Sequence, residues 1–158
     1  MITFHSDGET RYRLERADGR DIGWIRGLAI GFDGIRTEAQ ALGAVRCAVP
    51  VFDAALRRHY FGWPMRVLND AELRLVHDGA YEWVSMGVRP LARLHRPQAK
   101  RGHGDFAIEF VLPSYASEGV AISVAQTLGA AIQAYLAKTS RSHSWSCAVA
   151  HDAAHTNA

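Results

Sequence analysis

Cysteine is scarce: Cys47 and Cys147 are the only two in 158 residues, and they stand a hundred positions apart. That distance excludes the short Cys pairs of structural zinc sites, and two isolated thiols fit a reducing compartment. Residues 1–10 are polar and carry no apolar stretch of the kind a secretory signal needs. No uninterrupted run approaches the roughly 18 apolar residues of a membrane span. A cytoplasmic location with no membrane partner is the expectation. The chain also lacks a G-x-S-x-G elbow, a P-loop, a G-x-G-x-x-G turn and an H-E-x-x-H pair. The familiar nucleophilic, nucleotide-cradling and zinc-hydrolase frames are therefore missing, no cofactor is expected, and the balance leans away from an enzyme. Charge of one sign is missing as well: 18 basic against 16 acidic residues leave a formal net charge of +2. Any electrostatic attraction to a partner must come from local clusters.

What is present is ordinary for a folded domain, with 48% hydrophobic and 22% charged residues. The length suits a single core. Ala- and Arg-rich usage fits a bacterial source of high GC content.

The most informative pattern is an internal repeat. Arg13-Leu14, Asp18-Gly19 and Trp24 recur as Arg74-Leu75, Asp78-Gly79 and Trp83, at an offset of about 60. Ala29-Ile30-x-Phe32 recurs as Ala107-Ile108-x-Phe110 at an offset of about 80. The difference places an insertion at residues 86–104 of the second copy. Alternating residues around Asp-Gly turns predict short antiparallel strands in each copy, with Gly27 and Gly31 marking bends. Each meander leads into an amphipathic helix. The first is opened by the Thr37/Gln40 capping pattern and carries the stripe Val45, Val49, Phe52 and Leu56, with a bend expected at Pro50. The second carries Ala121, Val124, Leu128, Ile132 and Leu136 and runs to about Lys138. The expected fold is α+β: a two-layer sandwich with an antiparallel sheet of six to eight strands and both helices on one face. It arises from tandem β-meander-helix modules about residues 11–59 and 72–138, related by a pseudo-twofold. Residues 1–138 form one domain and 139–158 a flexible tail.

Three places could carry function. The insertion holds Arg89, Arg93, Arg96, Lys100 and Arg101, with no carboxylate between Trp83 and Asp105. With Arg57 and Arg58 after the first helix, it could contact nucleic-acid phosphates, while Tyr60 and Trp63 stack on bases. The second place is the aromatic set Trp24, Tyr81 and Trp83. Projecting from the uncovered sheet face, these rings would form either a stacking platform or the contact of a protein partner or homodimer. In the tail, His151 and His155 stand four apart, the spacing of a two-ligand helical metal contact. A third class of function, a small-molecule enzyme or sensor, would place a cleft near Glu109, where burial could raise a strand carboxyl toward the acid–base range. Cys47, inside a helix, reads as a small core residue. A non-enzymatic binding protein is the reading that these residues favour.

Overall fold

The computed structural model describes residues 1–68, 71–98 and 105–152, with the side chains of 141–152 excepted. Eight strands and two helices follow one another as β1 (Thr3–Ser6), β2 (Arg11–Glu15), β3 (Asp21–Arg26), β4 (Ala29–Ile35), α1 (Glu38–His59), β5 (Leu73–Asp78), β6 (Tyr81–Met86), β7 (Arg89–His95), β8 (Phe106–Val111) and α2 (Glu118–Asp152). One open, wholly antiparallel sheet runs in the order β1-β2-β3-β4-β8-β7-β6-β5. The expected α+β sandwich, with two helices over a sheet of eight strands, is the architecture found.

Alternation decides the faces. Ile30 and Phe32 of β4 and Ile108 and Phe110 of β8 are fully buried, in the core they share with Val45, Val49, Leu56, Leu128 and Ile132 of the helices. Phe52 meets Phe110 at a ring-centroid distance of 5.3 Å. Burying these side chains out of water contributes about 1.5–3 kcal/mol each, the main favourable term holding the helices to the sheet. Gly43 of α1 admits the Tyr135 hydroxyl, which a methyl at that position would meet at 1.9 Å. The helices thus pack directly on each other. Thr37 caps α1 by accepting from the Gln40 N–H, and Gln40 Oε1 accepts from the Arg36 N–H. α1 and residues 118–140 of α2 are long and apolar enough on average to cross a bilayer. Here their apolar stripes are the core.

Several expectations need correcting. The polar N-terminus supplies an edge strand, β1, whose Phe4 and His5 pair with Leu14 and Arg13. Residues 86–104 are not an insertion appended to a module, because β7 lies inside the sheet between β6 and β8. The element order does repeat, four strands and a helix twice, and the sequence repeat falls on it only in part. Its second part matches β4 to β8 in step, whereas its first matches the β2–β3 hairpin to β5–β6, one strand out of step, so the apparent insertion is a displaced strand plus a longer β7–β8 connection. Trp24 on β3 and Trp83 on β6 are consequently not equivalent positions. α1 is one helix through Pro50, as expected, with Pro50 on its exposed side. Cys47 is exposed on the same helix rather than in the core. α2 continues past Lys138 to Asp152.

Candidate functional site on the uncovered sheet face

The face turned away from the helices carries one cross-strand row of eight residues. Read across the sheet, it is His5, Arg13, Trp24, Gly31, Glu109, Arg93, Trp83 and Val76. Trp24, Trp83 and Tyr81 therefore stand on the uncovered face and outside the hydrophobic core cluster.

Gly31 makes the middle of this row possible. A methyl built on it would lie 2.1 Å from the Trp24 indole carbons Cε2 and Cζ2. The indole lies over the bare glycine and crosses β4 entirely, so that its Nε1 donates to Glu109 Oε2 at 3.2 Å, two strands away. With any side chain at position 31 the ring could not take that path. Gly31 is a seat for tryptophan rather than a bend.

Glu109 is the hub, only 6% exposed although it faces away from the core. Besides Trp24 it receives Arg93 Nη1 at 3.3 Å and faces His95 Nε2 at 3.4 Å. Burial alone would push its carboxyl up. The hydrogen bonds from His95 and Trp24, with the charges of His95 and Arg93, outweigh burial and hold it below the ordinary glutamate range. This reverses the expected upward shift: Glu109 is held as an anion, suited to fixing donors and not to giving up a proton at neutral pH. Glu82 is held low too, by Arg96, which donates to both its oxygens and also reaches Glu38 at the start of α1.

Around the hub, guanidinium groups cover aromatic rings. Arg26 lies 5.1 Å from the Trp24 centroid, and Arg93 lies 4.3 Å from Tyr81 and 5.1 Å from Trp83. Contacts of this kind contribute about 0.5–1 kcal/mol where exposed, and more where desolvated. The Nε of Arg93 is buried without a hydrogen-bond partner among the described residues. Arg11 stands directly opposite Arg26 on the neighbouring strand. Arg13 is paired with Glu15 and Asp21. Arg11, Arg26 and Trp24, with His95 and Asp105 from the β7–β8 side, line a hollow of about 810 Å3.

No protein-family model, curated protein or solved structure matches the chain.

The described ones among the basic residues singled out from sequence do not all share one surface. Arg93 is bound to Glu109 on the uncovered face, Arg96 is tied to Glu82 and Glu38 at the start of α1, and Arg89 stands at the opposite end of β7. Arg57 and Arg58 belong to the far turn of α1, where Arg57 Nε donates to the Trp63 carbonyl. Tyr60 packs against the core and Trp63 Nε1 donates to Asp53. Lys100 and Arg101 lie outside the described residues, as do His155 and the side chain of His151. Among the described residues no three His, Cys, Asp or Glu side chains gather as a metal site. Sequence reasoning passed over Gly31 as a seat, Glu109 as a hub and the Arg11–Arg26 pair. A glycine across from a tryptophan, beside a strand whose outward residues are Ala107, Glu109 and Val111, was the available signal.

Proposed function

We propose that the protein is a non-enzymatic binding module that takes a single-stranded nucleic acid across the uncovered sheet face. The observation that carries this reading is the Arg11–Arg26 pair beside Trp24. Like charges directly opposite each other on neighbouring strands destabilise a sheet. Neither arginine has an ion-pair partner among the described residues. A phosphate bridging them removes the repulsion, and Trp24 with its stacked guanidinium offers a base a flat surface. Arg74, on the same face at β5, adds a further cation that forms no ion pair among the described residues. Compared with the sequence-based expectation, the nucleic acid remains the partner and the contact moves from the basic segment to the sheet.

Trp24 and Trp83 are four strand spacings apart, about 19 Å at ~4.8 Å per spacing. At ~3.4 Å per stacked nucleotide, that distance corresponds to roughly five or six bases. Fluorescence-anisotropy titrations with labelled oligonucleotides of increasing length test the reading. Affinity should rise steeply up to about six nucleotides and level off beyond. Three phosphate contacts give a salt slope near −2 for a single strand, so raising salt sixfold should weaken binding roughly fortyfold. Affinity independent of both length and salt would refute the proposal.

A further inference from the structure

One end of the sandwich differs from the rest of the surface. There the loop after α1, the β6–β7 turn and the segment after β8 come together. Trp63, Pro64, Arg89, Pro90 and Val111 line a common hollow of about 480 Å3, and Tyr60 meets Tyr115 at 5.0 Å. The tips project apolar side chains into solvent: Phe61 is 107% exposed, Val88 102%, Val67 67% and Tyr115 64%. Folded monomers seldom gather so many exposed apolar groups without a use for them.

The three segments that meet here are one-sided in charge, with Glu72 and Glu118 standing just outside them. Residues 54–68, 86–91 and 110–117 contain no carboxylate, while Arg57, Arg58, Arg66 and Arg89 lie within them. Arg66 is held by buried Asp53 through both Nε and Nη2, which fixes the loop carrying Phe61. Arg57, Arg58 and Arg89 are exposed and form no ion pair among the described residues. Carboxylates return outside these segments, with Asp7 and Glu9 on the β1–β2 turn at the same end of the strands, and Asp18, Asp21, Glu38, Glu82 and Asp105 among the arginines at the other.

We propose that this end docks on an anionic phospholipid surface, with Phe61 and Val88 entering the headgroup–acyl boundary and Arg57, Arg58 and Arg89 meeting lipid phosphates. A second copy of the chain is a poorer occupant, because a symmetric contact through this end would set arginines against arginines. An extended acidic peptide would use a continuous groove. Here the most exposed groups are separate protrusions on turn tips, a shape that wedges between headgroups. Tyr60, Trp63 and Tyr115 supply the aromatic rings favoured at that depth. Interfacial contact of this kind requires no membrane-spanning segment. It is independent of nucleic-acid binding on the sheet face.

Co-sedimentation with phosphatidylcholine vesicles, and with vesicles also containing phosphatidylglycerol, tests the proposal. The whole chain should partition onto the anionic vesicles and only weakly onto the neutral ones, with binding lost at high salt. The double variant Phe61→Ser/Val88→Ser, altered only at exposed tips, should lower partitioning at least roughly tenfold. Arg57→Glu/Arg58→Glu should lower it by at least a similar factor. Absence of binding to anionic vesicles at low salt overturns the proposal, as does equal binding to neutral ones. Concentration-dependent self-association abolished by the Phe61/Val88 variant, without vesicle binding, would assign the surface to a second copy instead.

Discussion

Replacing Gly31 by alanine should reverse the usual sign of that substitution. Glycine in a strand interior is ordinarily about 0.5–1 kcal/mol less stable than alanine, so a free position would gain stability. At Gly31 the new methyl would fall 2.1 Å from the Trp24 indole, well inside van der Waals contact. The ring must then leave its seat. That forfeits the Nε1–Glu109 hydrogen bond, about 1 kcal/mol, and adds an overpacking cost of about 1–3 kcal/mol. The net expectation is a loss of about 1–3 kcal/mol. With a urea m-value of about 2 kcal/mol/M, the unfolding midpoint should fall by about 0.5–1.5 M. A double-mutant cycle isolates the cause. In a Trp24→Ala background the collision is gone, so Gly31→Ala should become neutral or stabilising, with a coupling energy of about 2 kcal/mol or more. Equilibrium urea unfolding of the four proteins measures it. Gly31→Ala matching or exceeding the parent in stability, with additive effects in the double variant, would refute the placement of Trp24.

Three further predictions follow from other parts of the fold. Asp53 is fully buried and accepts from the Arg66 N–H, Nε and Nη2 and from Trp63 Nε1, so Asp53→Ala should cost about 3–5 kcal/mol in chemical denaturation; a loss below 1 kcal/mol would contradict that network. Glu109 and Glu82 are both held below the ordinary glutamate value of 4.5, so below that pH the unfolded chain takes up more protons than the folded one. Stability should be fully present above about pH 4.5 and fall as acid protonates the folded carboxylates, and Glu109→Gln should flatten part of that fall; a parent and variant with identical acid profiles would remove Glu109 from the account. Native Cys47, being exposed, should react with a thiol reagent without denaturant, as peptide mapping of the labelled site would show; labelling only after unfolding would place it back in the core.

The layer architecture was legible because apolar periodicity reports directly on burial. Val45, Val49, Phe52 and Leu56 fall on one helical stripe, Phe106, Ile108 and Phe110 on one strand face, and the structure buries all of them at least partly. Strand pairing was less legible. β1 is short and, apart from Phe4, polar, and its order comes from pairing with β2, a tertiary effect that no local pattern carries. β7 begins with Arg89-Pro90, and Leu91 and Leu94 suggest no more than a strand or an edge ahead of a basic loop; its place inside the sheet, with Leu91, Ala92 and Leu94 buried, comes from the strands and helix around it. Charge counts misled for a related reason: Arg93 and Arg96 look free in a carboxylate-poor stretch, but their partners Glu109, Glu82 and Glu38 come from distant segments. The site itself depends on register. Trp24, Gly31 and Glu109 meet only once β3, β4 and β8 are aligned, and a slip of one residue would send every member of the row to the opposite face.

Binding on the uncovered face is tested most directly by comparing charge reversals at two places in one anisotropy titration with a single-stranded oligonucleotide at low salt. Arg11→Glu/Arg26→Glu should weaken binding at least a hundredfold and reduce the salt slope by about 1.4, the share of two phosphate contacts. Arg57→Glu/Arg58→Glu, at the far turn of α1, should leave the slope within about 0.3 of the parent value. Undiminished affinity in the Arg11/Arg26 variant would contradict the central claim.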